Sequence, residues 1–158
     1  MGKVMFYHLS RRPMEDTLQM LLGKALKAGW RVSVRGRDDP RMDWLDEKLW
    51  LGADDVFLPH GRSGGPHDAL QPVLLTTNAD RPNGATCVMS VDGADVSAIE
   101  INELDRVCVL FDGNDVDALQ VARAQWKTLT AAGVEAEYWS EDGGRWEKKA
   151  QSGGRSTA

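Results

Sequence analysis

Three aspartates and an asparagine crowd into Asp112-Gly113-Asn114-Asp115-Val116-Asp117, directly after an apolar run that ends at Phe111. Alternating acids beyond a strand end can hold a divalent cation for phosphoryl transfer or nuclease chemistry. Asp112, Asp115 and Asp117 are the residues an Mg2+-dependent enzyme of that kind would use. The chemistry also needs an acid from another strand end, and the first strand supplies none. The spacing matches part of an EF-hand loop but lacks that loop's later glycine and final glutamate. A turn followed by an acid-rich helix start accounts for each of these residues without a metal.

The other reactive side chains make no catalytic set. His8 falls inside a strand, where a hydrogen-bonded interior ring is expected. His60 follows Pro59 at an element end, and His67 lies in a polar loop. Ser10, Ser63 and Ser90 have no GxSxG context. Cys87 and Cys108 sit in apolar runs without CxxC or Cys/His ligand spacing, so both read as buried thiols. A phosphate-binding turn would follow an early strand as GxGxxG or GxxxxGK[ST]. Here Ser10-Arg11-Arg12-Pro13 follows it with no glycine, and Gly23-Lys24 lies mid-helix. The expectation is a chain with no catalytic activity of its own, no cofactor and no metal.

Binding residues are easier to find. Trp50 ends a helix and Phe57 sits in the loop that follows, with a polar turn between them. Large aromatics so placed can wall a groove. Arg123 and Lys127, four apart, share one face of a later helix, and Trp126 lies three from Arg123. Taken as a solvated basic edge beside a core tryptophan, these need no ligand. Joined to Trp50 and Phe57, they make an apolar groove with cationic rims, suited to an acidic peptide that ends in aromatic residues.

These positions are set by an alternating series of strands and helices. Residues 3–9 form a near-continuous apolar run, as in a strand covered on both faces. Pro13 opens a helix with apolar residues at 3–4 spacing, stopped by Gly29. Residues 30–35 alternate as a strand, and Asp38 or Asp39 caps a second helix ending near Gly52. Residues 61–71 read as a surface loop, and 73–77 and 85–91 as strands. Residues 95–104 are either a short helix or irregular. Residues 106–111 are a buried strand. Asn114 is the expected N-cap of the last helix, with Val116, Leu119, Ala122, Trp126 and Leu129 on its inner stripe and Gly133 at its stop. Residues 135–139 form a last strand. The order implies an α/β fold: one three-layer domain with a mostly parallel sheet and nucleotide-binding-like topology, but no phosphate loop. It should span residues 1–150, with 151–158 a disordered tail.

Composition agrees. With 158 residues and 42% apolar content, the chain fits one domain with a full core. A net charge of −5 disfavours direct DNA binding. No apolar run approaches the ~20 residues of a membrane span, and no secretory signal is evident, so a soluble cytoplasmic protein is expected.

LDEKLW, VFLPHG, PVLLTT, LFDGND and the ARAQWK…AAG…YW run together resemble the chi subunit of bacterial DNA polymerase III. The resemblance extends from the opening FYHL strand to Lys149. It implies a non-catalytic clamp-loader accessory subunit that links the replicase to single-stranded DNA-binding protein, SSB, by holding its acidic, Phe-terminated tail. The family's groove aromatics fall on Trp50 and Phe57. Its basic helix positions fall on Arg123 and Lys127, with an aromatic at Trp126. Some members carry a further basic residue where this chain has Leu119. Other partners implied are psi, a small clamp-loader subunit, and in some members a DinG-like helicase.

Overall fold

The computed structural model describes residues 2–11, 13–51, 60–141 and 145–152; Phe57 lies outside them. Eight strands form one sheet in the order β3-β4-β2-β5-β6-β1-β7-β8. They are β1 (Lys3–Leu9), β2 (Val32–Arg35), β3 (Gly61–Arg62), β4 (Val73–Thr76), β5 (Cys87–Ser90), β6 (Arg106–Asp112), β7 (Glu135–Ser140) and β8 (Glu147–Ser152). All pairings are parallel except that of β7 with β8. The helices are α1 (Met14–Lys27), α2 (Asp39–Trp50), α3 (Ala98–Glu103) and α4 (Val116–Ala131). This is the three-layer α/β arrangement expected from the alternating elements.

Strand periodicity divides the interior in two. Met5, Tyr7 and Leu9 of β1 pack with Leu18 and Leu22 of α1 and with Met42 and Leu45 of α2. Val4 and Phe6 point to the other face, among Ile101 of α3 and Ala122 and Leu129 of α4. Successive side chains leave a strand on opposite sides, so β1 is covered by helices on both faces. Cys87 and Cys108 are free thiols in the α1/α2 core. The neighbouring Cys108 and burial push the Cys87 thiol far up.

Several boundaries differ from the sequence reading. Within residues 95–104 a short helix forms, α3 over Ala98–Glu103: Ser97 and Glu100 make a reciprocal capping box that starts it. The N-cap of α4 is Asp115 rather than Asn114, because the Asp115 carboxylate reaches the amides of Asp117 and Ala118. Val116 does not join the inner stripe; it is 68% exposed at the first helical position. β3 lies in a stretch read as loop. β8 was missed, and it carries Gln151 and Ser152 of the expected tail into the sheet. Its sequence, EKKAQS, has no alternating apolar face. Its order comes from the antiparallel ladder to β7 and from Trp146, which meets Tyr7 edge-on at 5.3 Å just before it.

An ion pair ties the α3/α4 face to β2. Arg35, 4% exposed, donates to Glu100 Oε1 at 2.7 Å and Oε2 at 3.0 Å. The same guanidinium reaches the carbonyls of Asp95 and Ala79. Burial pushes the Glu100 carboxyl up, but the Arg35 hydrogen bond and the Ser97 amide outweigh it and hold the group below the usual glutamate range.

Candidate functional site

Helix α4 starts from two carboxylates used as local caps. Asp112 accepts the Asn114 amide at 2.9 Å, and Asp115 accepts that of Asp117 at 2.9 Å. These acids therefore work as turn and cap. Among the described residues no three His, Cys, Asp or Glu side chains gather closely enough to hold a metal ion. Gly113 is required by close approach, since a Cβ there would collide with the His8 ring.

His8 belongs to an aromatic file running under α4. Its Nδ1 lies 2.9 Å from the Tyr138 hydroxyl, as a hydrogen-bonded strand histidine should. Tyr138 meets Phe111 and Trp126 edge-on, both at 5.9 Å, and Trp126 meets Phe6 at 5.4 Å. Edge-to-face contacts add to the energy of burial alone. Trp126 is thus half-buried, wedged between α4, β1 and β7. Arg123 and Lys127 stand beside it, both exposed, with no ion pair or side-chain hydrogen bond among the described residues. The result is a half-buried aromatic flanked by two unneutralised cations.

Trp50 sits elsewhere. It ends α2, whose inner residues Met42, Leu45 and Leu49 belong to the opposite core. Its ring is 52% exposed and lies on His60, with centroids 4.2 Å apart. His60 is buried, and its Nε2 donates to the Asp46 carbonyl at 3.1 Å. The structure therefore brings Arg123, Trp126 and Lys127 together and does not bring Trp50 to them. The crossover after β2 runs over one face of the sheet and that after β6 over the other. Spacing along the chain carries no record of which face a crossover takes, so two walls drawn as one groove can lie a whole sheet apart. His8 and Tyr138 were also not singled out as binding residues, though both occupy the FYHL and YW segments.

Comparison with known proteins decides the family. The chain matches the family described as DNA polymerase III chi subunit, HolC, over residues 1–137. It belongs to that family. It is also 24% identical over 108 residues to the probable DNA polymerase III subunit chi of Rickettsia prowazekii (strain Madrid E). That similarity covers 68% of this chain and 66% of the relative, just under two thirds of the relative's length. Within the chi family the LFDGND segment gains a structural account here: it supplies the glycine that admits His8 and the two caps that start α4. No helix among the described residues is long and apolar enough to cross a membrane.

Proposed function

We propose that this chi-family chain is a non-catalytic, cytoplasmic accessory subunit of DNA polymerase III that links the clamp loader to SSB during replication. The acidic, Phe-terminated SSB tail docks along α4. Arg123 and Lys127 pair with its carboxylates, and the terminal aromatic lies against Trp126 and its neighbours. The observation that carries this reading is the pair of exposed, unneutralised cations flanking a half-buried tryptophan. A peptide ending in carboxylate and aromatic groups is the complementary chemistry.

Titration of the tail peptide against the wild type and Arg123→Ala tests it. A charge-assisted hydrogen bond contributes about 1.5–3 kcal/mol, so affinity should fall roughly ten- to a hundredfold. Equal affinities would remove Arg123 from the site.

An adaptor needs a second, separate surface. Trp50 and Leu51, 52% and 71% exposed on the other face, favour that end of α2 as the place for a psi subunit or a DinG-like helicase. Solvent-exposed aromatics at a helix end are characteristic anchors of protein contacts. Capture of psi by the wild type but not by Trp50→Ala, with tail binding intact in both, is the expected result. Loss of tail binding in Trp50→Ala would instead return that residue to the SSB site.

A further inference from the structure

A cleft of about 660 Å3 opens where β1, β5 and β6 end, beside α4. β6 and β1 are neighbours, yet the helix after β1 covers one face and the helix after β6 covers the other. Strand ends that part in this way leave a crevice, the usual ligand position in open α/β sheets. The volume lies within the range of small-molecule sites.

The cleft is polarised. Its floor is apolar, from Leu9, Val109 and Leu110, with Val121 and Ala122 of α4 above. Arg11, Arg37 and Arg41 line the side formed by the β1–α1 and β2–α2 connections, with Glu15 of α1 and Asp92 as the accompanying acids. Arg41 is held by Asp92 at 3.0 Å and stacks over Trp44. The guanidinium groups of Arg11 and Arg37 have no ion pair among the described residues. The α4 side instead presents carboxylates, including Asp117, and the Gln125 amide. Gln125 Nε2 is anchored on the Ala94 carbonyl at 3.1 Å, while its Oε1 is buried without a partner. Ser10, another lining residue, likewise has a buried Oγ without a partner among the described residues. Side chains cap the N-termini of α2, α3 and α4, but Pro13 leaves that of α1 uncapped at the mouth of the cleft. Buried polar atoms without partners are rare in folded proteins, and two belong to residues that line this space.

We propose that this cleft binds a nucleoside monophosphate. The phosphate lies with Arg11, Arg37 and the open amides of α1. The sugar hydroxyls donate toward the acid-lined α4 side, and the base covers the apolar floor. A free anion would use one wall only, and an apolar ligand would leave both walls unmet. The chain lacks a glycine loop, so guanidinium groups provide the anion contacts that such a loop would make. This reading does not rest on tail docking.

Calorimetric titration of the full chain with AMP tests it, with inorganic phosphate, adenosine and an oligo(dT) strand as separate arms. The expected result is saturable 1:1 AMP binding, weakened at least about tenfold in Arg37→Ala and in Arg11→Ala. Both residues are exposed, so the variants should keep the wild-type melting temperature and unchanged tail-peptide affinity. Phosphate alone binding as well as AMP would reduce the cleft to an adventitious ion only. Oligo(dT) binding with the same arginine dependence, without AMP binding, would replace the free nucleotide by strand phosphates. No saturable binding at millimolar AMP, or equal affinity in both variants, would overturn the proposal.

Discussion

Trp126 and Trp50 both lie in segments that carry the family resemblance, yet they do opposite things on opposite faces of the sheet. Trp126 is wedged against Phe6 and Tyr138, so the α4 face presents its charges on a rigid aromatic base. Trp50 lies on the buried His60 ring and exposes about half its surface. The first is packed into the fold, and the second is half exposed at a helix end. A tryptophan that a partner uses and one that the core uses cannot be told apart by residue type. They separate only by what they touch.

That contrast can be broken in order of effect. Glu100→Ala should cost the most, about 3–5 kcal/mol, because it leaves the buried Arg35 charge unpaired behind the α3/α4 face. Denaturant unfolding measures it; a loss below about 1 kcal/mol would mean that this face is not pinned through Arg35. The same pair sets an acid limit. Glu100 titrates below its ordinary value in the fold, so its contribution is present above the unfolded glutamate pKa. It is lost as pH falls through the lower folded value. The wild type should therefore lose more stability than Glu100→Gln between about pH 5 and pH 3. Parallel acid profiles for the two would remove the pair from this account.

Trp126→Ala comes next, at about 2–3 kcal/mol, less than a fully buried tryptophan because one side of the ring faces out. Its unfolding midpoint should drop with the slope unchanged. Trp50→Ala should shift stability by less than about 1 kcal/mol, since an exposed ring loses little burial. A Trp50 variant as destabilised as the Trp126 variant would erase the distinction between the two faces. The smallest effect is that of salt on tail binding. Raising ionic strength should weaken the Arg123 and Lys127 contribution only in part, because apolar contact with the aromatic base is not screened. Complete loss at moderate salt would mean that the aromatic base contributes nothing.

Much of the scaffold was legible because it follows from local rules. Apolar spacing located α1, Gly29 and Gly133 marked stops with left-handed backbone, and the β1 and β6 runs announced strands covered on both sides. α3 stayed open until its capping box was seen to close, because six residues are too few for a periodic pattern. β8 was illegible for a different reason. A lysine-rich edge strand gains its order from a neighbour's backbone, and its side chains carry no sign of that. Within the candidate site, Arg123, Trp126 and Lys127 share a helix, so one spacing rule united them. Their relation to Trp50 depended on crossover direction, which no local pattern encodes. The Arg37 side of the switch-point cleft was equally hidden, because its residues come from connections far apart in sequence.

The two thiols under α1 bear on how the molecule can be watched. Cys87 and Cys108 are both buried, so neither is open to a reagent while the sheet is closed, and the Cys87 proton is held tightly as well. Modification must wait for the central strands to part. The rate at which an alkylating label enters this chain is therefore a clock for opening of its deepest layer, and a partner that slows the clock is one that holds the whole sheet shut.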